Sequence, residues 1–257
     1  LAARDDVTLL ALDQDPTAVA AATATLARHG ARADVVHAKF SELTQVLADR
    51  GITEVSGIIA DLGVSSHHLD TAERGFSFSQ DGPLDMRMDP TSGVPLDQKL
   101  AGVSENDLAD VLYHYGDIRA SRRGASIVLS AWRDGGCTTG ELADRLRRRM
   151  PRAGKIHPAT LVFQALRMWV NDEAGELLTL LDTAPALLRP GGVMAVISFH
   201  SGEDRNVKRR FRDLAHGRYS DYERLVKKPV TATNEETRAN PRARSAKLRG
   251  VRRRVGH

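Results

Sequence analysis

Three short apolar runs near the start of the chain constrain its fold more than any other feature. VTLLALD (7–13), ADVVHAKF (33–40) and VSGIIADLG (55–63) are rich in β-branched and aliphatic residues, and the apolar stretches of the first and third end on an acid, Asp13 and Asp61. Between the first two lies an Ala-rich, helix-forming segment, Pro16 to His29, which Gly30 stops. SELTQVLADRG (41–51) reads as a second helix, with Ser41 as its expected N-cap and Gly51 beyond its end. Nearly continuous apolar strands alternating with helices imply a parallel sheet covered on both faces.

The pattern changes after Asp89. From about Leu96 to Val170 the sequence carries helical periodicity and almost no strand signal, with Leu108, Val111, Leu112, Tyr115 and Ile118 on one face. Thr138 and Glu141 have the spacing of a capping box. The sheet pattern then returns: a helix over 173–188, a turn at Arg189-Pro190-Gly191-Gly192, a buried strand VMAVISF (193–199) and a final strand SAKLRGVRR (245–253). The expected organisation is a discontinuous α/β domain, 1–95 and 171–257, interrupted by an all-helical insertion, 96–170.

Bulk properties narrow the function classes. No run approaches the ~18 apolar residues of a membrane span, and LAARDDVTLL lacks the basic-then-apolar order of a secretory leader. The single cysteine, Cys137, rules out an internal disulfide and a cysteine-cluster metal site, and no metal site is expected. A cytoplasmic protein fits. From Arg205 onward 17 Lys/Arg stand against 5 Asp/Glu, a balance of +12, which leaves −8 for the rest of a chain whose net charge is +4. A basic tail on an acidic body suits a polyanion, above all nucleic acid, although such a run also serves as a solvated tail.

In open parallel sheets ligands bind beyond the carboxyl ends of the strands. Asp13 there can accept hydrogen bonds from ribose hydroxyls; alternatively Asp13 or Asp15 caps the helix that begins at Pro16. Asp61 is either a site acid or a cap over Ser65 and Ser66. SFHSGEDR (198–205) gathers Ser198, His200, Glu203, Asp204 and Arg205 at the end of a buried strand. It lacks the Gly-x-Ser-x-Gly elbow of a serine hydrolase, and no neighbouring spacing makes His200 a metal ligand. Mutual capping at the start of a helix is the structural alternative.

DLGVSS (61–66), ERGFSF (73–78), GPLDMRMD (82–89), HPAT (157–160), FQALR (163–167), SFHSGEDR (198–205) and NPRARSAKLR (240–249) occur in this order. Together they resemble the RsmH (MraW) family, S-adenosylmethionine-dependent methyltransferases acting on N4 of a cytidine in the decoding region of 16S small-subunit ribosomal RNA. The resemblance runs from about Val7 to Arg254. It implies a class I, Rossmann-like methyltransferase sheet with an inserted all-helical domain, and places the family's first strand and glycine-rich cofactor loop before Leu1. Asp13 then corresponds to the ribose-binding acid, Phe40 to a residue beside the adenine, Asp61 to the acid near the methionine end, and His68 to a position where the family has a cofactor-contacting Gln. Gly202 stands where the family usually has Leu.

Cytosine N4 is a poor nucleophile because its lone pair is delocalised into the ring, so catalysis rests on alignment and on a hydrogen-bond acceptor for the amino group. Asp61, Ser198 and His200 are the candidate acceptors. Arg74, Arg87, Arg205, Lys208, Arg242 and Arg244 are candidate phosphate partners, and Phe76 or Phe78 either stacks on a base or anchors its loop. Arg147, Arg148 and Arg149 extend this surface or form a solvated face. The expected partner is 16S ribosomal RNA or the small subunit, with the oligomeric state, including a homodimer, left open. Two other classes carry distinct expectations. A nucleotide-dependent oxidoreductase would show a hydride-site pattern such as Tyr-x-x-x-Lys, which is absent; a non-catalytic RNA-binding ribosome-assembly factor explains the basic tail but not the polar strand ends. The stretch ERGFSFSQDGPLDMRMD (73–89), with Leu84, Met86 and Met88 alternating with charged residues, is expected to wall the base pocket and link the two domains.

Overall fold

A computed structural model describes residues 4, 6–151, 157–217 and 220–256. Residues 1–3 and 5, part of the segment read as carrying no leader pattern, lie outside the described residues, as do 152–156 within the expected insertion. In chain order the elements are β1 (Leu9–Asp13), α1 (Pro16–Leu26), β2 (Ala33–His37), α2 (Leu43–Ala48), β3 (Val55–Asp61), α3 (Ser66–Asp70), α4 (Leu96–Gly102), α5 (Glu105–Gly116), α6 (Ser121–Arg133), α7 (Thr139–Arg149), α8 (Pro158–Asn171), α9 (Glu173–Thr183), β4 (Leu188–Ser198), α10 (Ser201–Leu214), β5 (Tyr222–Arg224), β6 (Val230–Thr231), α11 (Asn234–Ala239) and β7 (Lys247–Arg253). They form two compact units, one of Leu1–Gly63 with Ala174–His257, the other of Val64–Glu173.

Among the described residues the first unit carries all the strands. β1 pairs with β2 in parallel, Leu9 opposite Ala33 and Asp13 opposite His37. β3 pairs with β4 in parallel, and β7 then runs antiparallel to β4 and to the short β5 and β6. Among the described residues β1 pairs only with β2, and β3 only with β4. Leu177, Leu180 and Leu181 of α9, Met194 and Val196 of β4, Val207 and Phe211 of α10 and Val251 of β7 share one apolar core, with Phe40 and Leu43 packed against it. Helices α9 and α10 thus pack on the β3–β4–β7 sheet, but the expected cover on both faces is not seen among the described residues: α1 buries no residue and Ile59 of β3 is 61% exposed.

Three local expectations are corrected. Arg189–Gly192 do not form a turn separate from the strand. Val55 faces Leu188 while Gly57 faces Val193, so β4 spends three extra residues in an irregularity inside one strand. Pro190 has no N–H to donate and Gly191 has φ +82°, which a regular ladder cannot hold. Ser41 is not the N-cap of α2; its N–H and Oγ both bond the carboxylate of Glu176 on α9, at 2.8 and 3.0 Å. The helical stretch after Pro16 passes from α at Leu26 into a 3₁₀ turn, Ala27–Arg32. Asp15 caps α1 through an Oδ1 bond to the Thr17 N–H, and Thr138 with Glu141 forms a capping box on α7.

The second unit is helical and includes the stretch from Glu73 to Asp89. Leu84 and Met86 belong to one buried core with Leu96, Leu100, Leu108, Leu112, Leu142 and Leu166. Residues 83–89 form no strand despite their alternation. Met86 is fully buried with φ 61°, and its loop is held by side chains. The Met86 N–H donates to Arg74 O at 3.1 Å, Asn171 Nδ2 donates to Met86 O at 2.7 Å, and the Met88 N–H donates to Asn171 Oδ1 at 2.7 Å.

Candidate active site

The sheet unit gathers the acids. Asp13 ends β1 with an exposed carboxylate whose Oδ1 accepts the Asp15 N–H at 2.8 Å. Desolvation at the strand end raises its pKa, and the charge of Asp15 adds to this against the bond from the Asp15 N–H. Capping and exposure coexist here because Asp15 takes the cap, leaving Asp13 at the lip. Phe40 lies three residues past β2, half-buried against the sheet core in a 3₁₀ turn that the Ser41–Glu176 bonds tie to α9.

Asp61 ends β3 with an exposed carboxylate, and the following Leu62 N–H donates to Ile197 O of β4 at 3.0 Å. Its pKa is raised, first by desolvation and then by the charge of Glu203. The ends of β3 and β4 and the start of α10 thus form one acidic corner.

Ser198 is 1% exposed, and its Oγ donates to the Lys247 carbonyl across the β4–β7 pair at 3.4 Å. His200 is the N-cap of α10, and its Nδ1 accepts the Glu203 N–H at 3.4 Å. Glu203 completes the box: its Oε2 accepts the N–H groups of Phe199 at 3.0 Å and His200 at 3.4 Å, while its Oε1 lies 3.1 Å from His200 Nε2. A Cβ at position 202 would come within 3.3 Å of the His200 ring, so Gly202 gives the imidazole room to fold over the helix start. Asp204 bonds Arg249 and Lys247 of β7. Burial opposes its ionisation, but the Arg249 and Lys247 partners outweigh it and hold the pKa below the ordinary carboxylate range.

The remaining sequence candidates divide by environment. His68 lies in the helical unit, buried as the N3 residue of α3, with Nδ1 accepting the Ser65 N–H at 3.1 Å and its ring 4.8 Å from that of Phe76. A capping box normally takes Glu or Gln at N3, and the imidazole supplies the same acceptor. Arg74 gives Nη2 to the carbonyls of Arg87 and Met88, and Arg87 holds Asp85 through Nε and Nη2, both at 2.8 Å. Burial opposes ionisation of Asp85, but Arg87 still keeps its pKa low. Phe76 is buried and Phe78 packs on Phe163 and His157, so both anchor the loop rather than present a face for stacking. Arg205 and Lys208 on α10, and Arg242 and Arg244 in the turn before β7, are exposed in the sheet unit. The capping of α10 by His200 and Glu203 follows the mutual capping read from SFHSGEDR, whereas the parts played by Asp204 and Glu176 rest on contacts 45 and 135 residues away.

These side chains suit S-adenosylmethionine: exposed carboxylates at parallel strand ends match ribose hydroxyls and a cationic amino acid, and Phe40 matches an aromatic base. The model of the MraW methylase family matches residues 1–254. The chain belongs to the MraW methylase family. It is 47% identical to the ribosomal RNA small subunit methyltransferase H of Sorangium cellulosum (strain So ce56), over 95% of this chain and 77% of that protein. It is 45% identical to the protein of the same name from Methylobacterium sp. (strain 4-46), over 97% and 79% respectively, and 46% identical to that of Anaeromyxobacter sp. (strain K), over 95% and 84%. Membership accounts for the α/β sheet with parallel pairs and makes the protein a methyltransferase with S-adenosylmethionine as methyl donor.

Proposed function

We propose that the protein methylates N4 of a cytidine in the decoding region of 16S small-subunit ribosomal RNA, in the cytoplasm. The observation that carries this reading is the exposed Asp61 carboxylate at the end of β3, beside the capped start of α10, in a chain whose relatives are named ribosomal RNA small subunit methyltransferase H.

When bound, S-adenosylmethionine supplies an electrophilic methyl group on a sulfonium. We assign Asp13 to the ribose hydroxyls, Phe40 to the adenine flank and Asp61 to the reacting end. The Asp61 carboxylate accepts a hydrogen bond from the cytosine amino group, which draws the N4 lone pair out of the ring and orients it. The same carboxylate takes the proton that N4 sheds as its new bond to carbon forms. Partial desolvation raises the basicity of Asp61, which suits this task. Ser198 is a weaker candidate because its hydroxyl is buried and turned to the Lys247 carbonyl. His200 holds the turn rather than the substrate, since its Nδ1 is engaged by the Glu203 N–H.

The target base leaves its stack to reach such a site. Arg205, Lys208, Arg242 and Arg244 of the sheet unit are the phosphate partners we favour. Arg74 and Arg87 are committed to their own loop, and His68 to the start of α3. No helix among the described residues is long and apolar enough to cross a membrane.

The test incubates the protein with isotopically labelled S-adenosylmethionine and either purified 16S RNA or small-subunit particles, then identifies the labelled nucleoside by mass spectrometry. N4-methylcytidine at a decoding-region position is expected. Label at a ring carbon or on ribose, or no label on either substrate, would overturn the reading.

A further inference from the structure

Glu203 holds a carboxylate at the point where the chain passes from β4 into α10. Its side chain is 6% exposed, and a buried carboxylate is expensive unless its charge is used or compensated. A neutral Gln would accept the same two backbone N–H groups. Glu203 faces the His200 ring on one side, and its charge reaches Asp61 on the neighbouring strand.

We propose that Glu203 is a positioning residue for methyl transfer: its carboxylate fixes the Phe199–His200 turn at the end of β4, whose Ile197 is in register with Asp61 at the end of β3. The proposal builds on the role assigned above to Asp61. Two bonds to successive N–H groups, at 3.0 and 3.4 Å, lock the chain as it leaves β4. The turn, the His200 ring and the strand end then move as one body.

Charged and titratable groups at this corner include Asp61 at the end of β3, His200, Glu203, Asp204 and Arg205 at the start of α10, and Lys247 and Arg249 from β7. The two β7 cations are bonded to Asp204, and the Glu203 charge acts on Asp61. A like charge favours the protonated form of its neighbour. Asp61 therefore binds a proton more readily with Glu203 present than without it, which is the direction a proton acceptor needs.

The test separates geometry from charge and does not depend on turnover. Carbon-13 NMR titration of the Asp61 carboxyl is run on the wild-type chain, Glu203→Gln and Glu203→Ala, together with amide exchange at Phe199 and His200. Glu203→Gln is expected to lower the Asp61 midpoint while keeping both amides protected. Glu203→Ala is expected to shift Asp61 likewise and speed exchange at both amides roughly tenfold or more. An unmoved Asp61 midpoint in the folded Gln variant overturns the electrostatic role, and unchanged exchange in the Ala variant overturns the positioning role. If Glu203→Ala does not fold, exchange and titration in Glu203→Gln still decide: loss of protection there overturns the claim that a neutral acceptor can hold the turn. In the methylation assay the acid limb of the rate profile should move down in pH with the NMR midpoint. Loss of N4-methylcytidine formation by the wild-type chain would count against the proposed function and leave the NMR result standing.

Discussion

Arg249 and Asp204 meet as a nearly buried pair between β7 and α10, with Nε 2.7 Å from Oδ1, Nη2 3.2 Å from Oδ2, and side chains only 10% and 13% exposed. The pair ties the last strand of the sheet to the first turn of the helix that carries Glu203. Removing one partner strands a charge in a poorly hydrated place. Arg249→Met is expected to destabilise the sheet unit by about 3 kcal/mol, measured by urea unfolding. Asp204→Asn should cost less, because the amide still accepts one of the bonds. The sign of the pH dependence follows from the low pKa of Asp204. Its contribution is complete above the ordinary carboxylate pKa and is lost as pH falls through the depressed folded value, so the wild-type advantage over Asp204→Asn should shrink in acid.

Asp61→Asn and Ser198→Ala separate the candidate acceptors. Asp61→Asn is expected to lower kcat by roughly a hundredfold or more with little change in melting temperature. Ser198→Ala should stay within about tenfold of wild type, because its hydroxyl serves one long bond to Lys247 O. Single-turnover methylation at saturating RNA distinguishes them, and equal losses would count against Asp61 as acceptor.

The glycines of the Glu73–Asp89 stretch brace it from inside. A Cβ at Gly75, which has φ +70°, would lie 2.2 Å from Pro83 O, and one at Gly82 would lie 1.9 Å from Ala72 O. Both neighbours are backbone and cannot swing away. Gly75→Ala and Gly82→Ala are each expected to destabilise the helical unit by roughly 2 kcal/mol or more, detected as a lower melting temperature.

His68 can be assigned by a matched pair of variants. Gln at N3 of α3 preserves the capping box with Ser65, so His68→Gln should be near neutral in stability. His68→Ala should lose about 1 kcal/mol for the cap, plus the packing on Phe76. A rise in the KM for S-adenosylmethionine with unchanged melting in both variants would instead favour direct cofactor contact.

Salt dependence sorts the basic residues. Lys208→Ala and Arg244→Ala should each reduce the slope of log binding constant against log salt by about 0.7 to 0.9. Arg74→Ala should leave that slope unchanged and lower thermal stability, because its Nη2 bonds the Arg87 and Met88 carbonyls.

Local patterns made the sheet legible. The apolar runs ending at Asp13 and Asp61, the Asp15 cap and the Thr138–Glu141 box all depend on residues close together in the chain. What escaped was set by distant partners. Ser41 looks like an N-cap until Glu176, 135 residues away, takes its hydroxyl. Nothing near Leu84, Met86 and Met88 in the chain shows that Asn171 satisfies the backbone of their loop from 83 to 85 residues away. Phe76 and Phe78 look available for stacking because sequence does not reveal the His68, His157 and Phe163 rings that meet them. Among the acids, strand position points to Asp61, but Glu203 reads as a simple helix-start residue because its effect on Asp61 crosses from one element to another.

The antiparallel strand β7 has a consequence for synthesis. It lies between β4 and the short β5 and β6, so it is an interior strand made of late residues. A ribosome that has finished β3 must still translate the whole helical unit, β4 and α10 before Lys247–Arg253 exist to pair with β4 and Arg249 exists to meet Asp204. Until then the acidic corner stands without the cations of β7, with one flank of β4 open. The nascent chain thus completes its helical unit before its sheet, and the acidic corner is assembled late in translation.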